Sequence, residues 1–401
     1  MIRRASPGRT EVSVIVRVLY VSEIQWLSQV SRKHLLVRRL PAEWEVLFVS
    51  PMNARARENS VLTRRDPARP TLRYRSLPLP KPDSGSAALR SLTPALALLG
   101  HWLLAGVVRR FRPDVVVCSY IWAAPLAEEL VNRAVPVVYD LNDLHPEFYP
   151  ARREEASGMF RRLVTAATEV VASSQRLREA AGRGVVIGNG VDLDTFTGTS
   201  DFPVPDPIAR SPLSARRNLV AYVGSVDNRL DFAILERVLE RLAHAPDGAG
   251  LVVVGRVFDS VADRRRAIEK RFPETVLFTG RVSYSELPAY LARASVGIAP
   301  FVQSARTEAI NPNKLYMYAA MNENVVSTPF SREIEEYRDV LYLASDPDGF
   351  ADAVMAALRD DTRRRVVRQR IAVPNSWDGK AAEFTRLLAS LGTAAGASSR
   401  S

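Results

Sequence analysis

Each thing this chain is short of excludes a class of protein. A single cysteine, Cys118, leaves no partner for an internal disulfide. It ends the run Val115-Val116-Val117-Cys118, where a small buried residue is the ordinary expectation and a catalytic thiol the exception. Histidine occurs four times, and no His and carboxylate cluster has dependable ligand spacing, so no metal is called for. Long apolar runs are missing too. The most apolar window, Leu92 to Val108, is broken by Thr93, Pro94 and His101 and falls short of the roughly 20 residues that span a bilayer. A buried or half-buried helix is the expected outcome, with an interfacial membrane helix as the alternative. The first eleven residues are basic, but the apolar segment of a secretory signal does not follow, which makes the cytoplasm the expected location. Lysine is scarce as well: 50 of the 55 basic residues are arginine, so a lysine inside a motif draws notice.

What is present is the balance of a folded globular protein, 47% hydrophobic and 25% charged over 401 residues. That length exceeds one ordinary core and suggests two domains. The net charge of +11 is lopsided, because residues 1–200 carry 28 Lys and Arg against 19 Asp and Glu. A basic first half suits an anionic partner such as a membrane surface or a phosphorylated lipid. A nucleic acid is not expected, since no basic stretch is interleaved with aromatics and no recognition-helix pattern occurs.

Short β-branched runs alternate with helix-length segments from end to end, which predicts an α/β protein with parallel sheets. Strands are expected at Val14–Val21, Glu45–Val49, Leu72–Ser76, Asp114–Ser119, Val137–Leu141, Glu169–Ala172 and Val185–Ile187. Helices are expected at Ser28–Leu40, Ser86–Arg110, Ala124–Arg133, Ser157–Thr168 and Ser174–Gly182. Residues 201–214, DFPVPDPIARSPLS, hold four prolines and read as a linker that joins no helix or central strand. A second series then begins, with strands at Leu219–Val223, Leu251–Val254, Val276–Thr279, Val296–Ala299 and Val325–Val326, and ends near Tyr342. The expected plan is a first domain at 1–200, a second at 215–375, a terminal helix at 376–391 that can return to the first domain, and a disordered tail at 392–401. Two such domains in tandem place the carboxyl ends of both sheets around a cleft, where ligands of open α/β sheets bind.

Three strand ends in the second half run into glycine: Val223-Gly224-Ser225, Val254-Gly255-Arg256 and Thr279-Gly280-Arg281-Val282. Glycine lets backbone amides approach an anion, and Arg229 or Arg256 would add charge, so the pattern suits a diphosphate as well as it suits plain tight turns. Arg281 and Val282 are placed to read the rim of a base through their backbone. Further on, Asn311-Pro312-Asn313 ends a polar loop before a helix whose first turn carries Lys314, a mobile point charge at a helix N-terminus. A solvated lysine on a helix face is the plainer alternative. In the first half, Asp140, Asp143 and His145 follow the strand Val137–Tyr139, where they could deprotonate a hydroxyl or merely cap a turn and pack. Asp143 is the first candidate base and His145 the second. Glu23 and Trp26 follow the first strand, at an edge expected to supply contacts to an acceptor, with Arg32 and His34 on the helix after them. Trp26 suits stacking on a sugar ring, or a staple under a loop.

The stretch NPNKLYMYAAMNENVVSTP, from Asn311 to Pro329, resembles the donor-site motif of the GT-B glycosyltransferases, in particular the bacterial family 4-like enzymes that build surface polysaccharides and glycosylated metabolites. Phe278–Phe301 is similar to their nucleotide-binding segment, Val186–Phe196 to their interdomain hinge, Ser376-Trp377-Asp378 to the start of their final helix, and Val137–Phe148 (VVYDLNDLHPEF) to their acceptor-domain Tyr-Asp-x-x-Asp stretch. The likeness runs over roughly residues 14 to 390. It implies two Rossmann-like domains facing a cleft and transfer of a sugar from a nucleotide diphosphate sugar, UDP- or GDP-linked, to the hydroxyl of a glycan, a lipid-linked saccharide or a small molecule. The nucleotide sugar is substrate, and no cofactor is implied. The pattern is broken in one respect. Met317 stands where the family carries the glutamate that holds the donor ribose, and Asn322 and Asn324 replace the usual glycine and proline. Glu308 or Tyr316 would then take over ribose recognition, or donor binding is lost and the protein is a scaffold subunit. A nucleotide-sugar 2-epimerase shares the fold, but few histidines are available for its acid and base groups.

Overall fold

The computed structural model describes residues 15–52, 62–79, 93–197, 202–216, 218–245 and 248–398. Val14, the expected helical start at residues 86–92 and the last three residues of the tail lie outside them.

Two parallel sheets form, one in each half. The first has eight strands in the order β3-β4-β2-β1-β5-β6-β7-β8. Its central members are β1 (Arg17–Val21), β2 (Glu45–Pro51), β5 (Val115–Cys118), β6 (Val137–Leu141) and β7 (Glu169–Ala172), with β4 (Arg69–Leu77) and β8 (Val185–Val186) further out. The short edge strand β3 (Arg64–Asp66) pairs antiparallel with β4 and has no apolar run that would announce it. The second sheet has six strands in the order β11-β10-β9-β12-β13-β14, namely β9 (Asn218–Val223), β10 (Ala249–Val254), β11 (Val276–Gly280), β12 (Ala294–Ala299), β13 (Asn324–Ser327) and β14 (Tyr342–Leu343). Helices cover both faces, so β5 and β10 are buried throughout and β1 and β9 at every residue but their first, and all four read as near-continuous apolar runs rather than as alternation.

The strand order reverses beside β1 in the first sheet and beside β9 in the second, and the segments that follow both strands line the same cleft. The chain crosses between the halves twice, and the two crossings run side by side. Val191 N donates to Asn375 O at 2.9 Å, and Trp377 N donates to Val191 O at 2.9 Å. After the second crossing the helix Trp377–Ser398 packs on the first domain. Trp377, Ala381, Phe384 and Leu388 join the core under β1 and β5, and Phe384 and Leu388 each contribute on the order of 1.5–3 kcal/mol by burial.

Two expectations fail here. The tail is not disordered from residue 392, since the final helix continues to Ser398, where the alanines at 394, 395 and 397 favour helix without needing an apolar anchor. Nor is the proline-rich segment a bare linker. Asp206–Ala209 is helical, with Pro205 before it and Pro207 in its first turn, where a missing N–H costs nothing, and Ile208 and Leu213 are buried in the second domain's core.

Candidate active site

The cleft holds an open cavity of about 350 Å³ with walls from both domains. The second domain supplies Val223–Ser225 and Arg229 after β9, Phe301 after β12, and Ile310–Lys314 leading into the helix Asn313–Ala320. The first supplies residues from the helix Arg32–Arg38, Asn142 and Asp143 after β6, and Asn189 at the crossing.

That Asn313 helix is seated on the sheet by its own periodicity. Lys314 and Tyr318, four residues apart, share a face. The Tyr318 ring lies on Gly297 of β12, where a Cβ would come within 2.3 Å of it, and its hydroxyl accepts from Val223 N at 2.8 Å and donates to Ile298 O at 3.2 Å. Lys314 is thereby set over the end of β9. Its ammonium stands 3.9 Å from the centre of the Tyr222 ring and 4.1 Å from that of Phe301, and no hydrogen-bond acceptor reaches it among the described residues. Burial first, and then the neighbouring Arg229 guanidinium, drive its pKa well below the ordinary lysine value. Gly224 lies alongside at a φ of 136°, and a Cβ there would stand 3.3 Å from the lysine Nζ. Arg229 is held by Asp227 through Nε and Nη2. This corner has a buried lysine that no hydrogen-bond acceptor among the described residues reaches, a helix N-terminus and an open glycine turn, which is the chemistry of an anion hole.

Across the cavity, Asp143 is half-buried, and burial raises its carboxyl to about 6 against the opposing pull of Lys33. Asn142 Nδ2 donates to Asp143 Oδ2 at 2.8 Å. The carboxyl therefore changes charge near neutrality at the cavity wall, as a proton acceptor should.

Of the candidates read from sequence, Gly224, Ser225, Arg229, Asn313, Lys314 and Asp143 meet in this cavity. Others do not. Asp140 is fully buried in an ion pair with Arg32 Nε at 3.0 Å and accepts from the Tyr20 hydroxyl at 2.5 Å, because a residue inside β6 points into the domain rather than off its end. His145 is buried against Tyr139, its Nδ1 2.8 Å from the tyrosine hydroxyl, and burial pushes its pKa down to about 4, so it is neutral and lines no wall of the cavity. Trp26 is a core staple, not a sugar platform: its Nε1 donates to Asp66 at 2.6 Å while its ring packs on Phe48 and Tyr74. Glu23 backs Lys33 from behind the wall, with the ammonium at 2.6 Å and the Ser119 hydroxyl at 2.7 Å. Tyr316 is turned into the second domain, donating to Asn311 Oδ1 at 2.7 Å. Glu308 is half-buried and pairs with Arg176, and neither replacement for the ribose glutamate lines the cavity. The three glycines do form one ladder, Gly224 N to Val254 O and Gly255 N to Gly280 O, both 2.9 Å. Only Gly224 lines the cavity. Gly280 caps the far edge, Val282 packs on the core, and Arg256 is exposed over the Phe258 ring.

Sequence reasoning missed Lys33, Asn142, Asn189, Tyr222, Phe301 and Asn311. The positions of Tyr222 one residue before Val223-Gly224 and of Phe301 just past β12 were available as signals, since residues at strand ends face the cleft. Lys33, one of five lysines, was another. The rest face the cavity only through loop conformation.

A family model described as glycosyl transferases group 1 matches residues 217–360, and one described as a glycosyl transferase 4-like domain matches residues 31–190. TuaH of Bacillus subtilis (strain 168), whose name assigns it to teichuronic acid biosynthesis as a glycosyltransferase, is 25% identical over 275 residues. That match covers 65% of this chain and spans 63% of the relative's length. Among solved structures, sucrose-phosphate synthase from Thermosynechococcus elongatus superposes with a TM-score of 0.72 at 17% identity, over 94% of this chain and 100% of that one. An E. coli trehalose-6-phosphate protein bound with UDP-2-fluoro glucose gives 0.70 at 12% identity, over 93% and 98%. At those identities the likeness is one of fold.

Proposed function

The chain belongs to the group 1 glycosyltransferases with the GT-B fold, and on that premise we propose that it transfers a sugar from a nucleotide diphosphate sugar to an acceptor hydroxyl. The observation that carries this is the Lys314 ammonium, buried in the cleft without a hydrogen-bond acceptor among the described residues. A donor diphosphate supplies one. Its oxygens would meet Lys314, the turn at Gly224-Ser225 and the N-terminus of the Asn313 helix, with Arg229 behind them. As the bond from the anomeric carbon to the β-phosphate oxygen breaks, these groups stabilise the charge on the departing nucleoside diphosphate. The acceptor oxygen bonds to the anomeric carbon, and its proton passes to Asp143 across the cavity. The E. coli fold neighbour holds a UDP sugar, which favours UDP over GDP as the donor nucleotide. The name of TuaH favours a glycan of the cell surface as acceptor.

Such acceptors are built at membranes, and one surface fits that setting. The helix Thr93–Phe111 contains no acidic residue. Leu98 and Trp102, one turn apart, are 74% and 63% exposed, and Arg109 continues their face with Arg110 beside it. None of the described helices is long and apolar enough to cross a membrane. The helix suits peripheral contact with an anionic lipid surface on the cytoplasmic side.

Titration calorimetry of the purified protein with UDP, GDP, TDP and ADP tests the donor site. Micromolar binding of one nucleotide is expected. No binding to any of them would end the transferase reading and leave a scaffold subunit in its place.

A further inference from the structure

Behind the cavity wall a chain of side chains ends on Asp143. Glu23 accepts from the Ser119 hydroxyl at 2.7 Å and from the Lys33 ammonium at 2.6 Å. Burial by itself would raise the Glu23 carboxyl, but Lys33 and these hydrogen bonds outweigh it and hold it below its ordinary value, so it stays charged. Lys33 is 2% exposed, and its Nζ also donates to Asn142 Oδ1 at 3.2 Å. The Asn142 amide is thus fixed in direction. Its oxygen faces Lys33, and its NH₂ therefore faces Asp143 Oδ2 at 2.8 Å. Turned over, the amide would set NH₂ against an ammonium and a carbonyl against a carboxylate, two repulsive contacts in place of two attractive ones.

We propose that Lys33 is a positioning residue for Asp143: by fixing the direction of the Asn142 amide, it aims the carboxylate at the cavity and keeps it charged. This rests on the reading of Asp143 as the proton acceptor. Lys33 itself needs no contact with the acceptor. It stands between two carboxylates, anchored by one and serving the other through Asn142. The other charges acting on Asp143 are Arg229 and Arg306 from the second domain, which favour its ionised form, and Glu23, which opposes it. Removing Lys33 therefore takes away an attraction and exposes Asp143 to Glu23 at the same time.

The test reads the carboxyl directly and needs no substrate. The full-length protein is labelled with [4-¹³C]aspartate, the Asp143 signal is assigned by its loss in Asp143→Asn, and its titration is followed in the wild type, Lys33→Met and Lys33→Arg. A midpoint of about 6 is expected in the wild type. It should rise by about one unit in Lys33→Met, a small shift for loss of a nearby opposite charge, and return close to the wild-type value in Lys33→Arg. An unmoved midpoint in a folded Lys33→Met overturns the proposal. If that variant does not fold, Asn142→Ala decides. It removes the amide at a half-buried position while leaving the Lys33–Glu23 pair in place, and the midpoint must again rise; a midpoint that stays put overturns the proposal. Failure of nucleotide binding would sink the transferase reading and leave this titration standing, whereas intact binding with an unmoved midpoint would sink the positioning role alone.

Discussion

Replacing Lys314 by methionine should separate the cost of the buried charge from its use. Methionine keeps an unbranched apolar stem between Tyr222 and Phe301 and deletes the ammonium. In the free protein that ammonium carries an effective desolvation penalty of several kcal/mol. Two ring faces, at 3.9 and 4.1 Å, return up to about 2 kcal/mol each. The balance is small, so Lys314→Met is expected to match the wild type or gain about 1 kcal/mol, with Tm unchanged or higher by roughly 2–4 °C. Nucleotide binding should move the other way. Losing a hydrogen bond to a charged group costs about 1.5–3 kcal/mol, or roughly 10- to 150-fold in Kd at about 1.4 kcal/mol per decade. The pH dependence follows the same charge. The folded-state pKa of Lys314 lies below the unfolded value of 10.5, so the unfolded chain holds more protons between the two. Wild-type stability therefore gains from this group as pH rises through that interval, and the methionine variant lacks that gain. Calorimetric titration and thermal melts on both proteins decide it. A variant that melts several degrees lower and binds nucleotide as well as the wild type would refute the reasoning.

Asp143→Asn should lower kcat by roughly 10²–10⁴ while leaving the donor KM in place, and wild-type activity should rise with pH through about 6, because the ionised carboxylate is the competent form; a flat profile there excludes it as base. Asp140→Ala strands the buried Arg32 guanidinium without its partner, so about 3–5 kcal/mol of stability should be lost in denaturant melts; near-wild-type stability would contradict the structural role. Trp102→Ser should reduce co-sedimentation with vesicles containing phosphatidylglycerol and leave binding to neutral vesicles as low as before; equal sedimentation of both proteins removes the membrane contact from this face.

Much of the fold was legible because burial on both faces leaves a strong trace. Runs such as Val115–Cys118 and Leu251–Val254 cannot be solvent-exposed strands, and their alternation with helix-length segments implies crossovers. The anion corner was legible for a similar reason, since Gly224 and Lys314 each sit where a strand or loop meets a helix. The short strand β3 left no such trace, because its residues are arginines and an aspartate at an edge.

The candidate residues divide along the same line. From Val137 to His145 the sequence offers two carboxylates and an imidazole within six residues, and composition cannot rank them. Asp140 lies inside the strand, so the pleat directs it into an ion pair with Arg32, while Asp143 lies past the strand's end, where the backbone is free to present it to the cleft. Trp26 and Tyr316 are equally undecidable from sequence, because either ring could have faced ligand or core until packing partners 40 residues and five residues away claimed their polar tips. The sequence by itself determined the buried strands and most of the helices between them, the order of the two sheets' units and the placing of Lys314 at a helix start, all of which depend on local pattern. The tertiary structure alone decided which charged groups are spent on one another and which remain for a ligand, because pairing in a folded chain joins residues the sequence keeps apart: Arg32 with Asp140, and Lys33 with Glu23 and Asn142, while no hydrogen-bond acceptor among the described residues reaches Lys314.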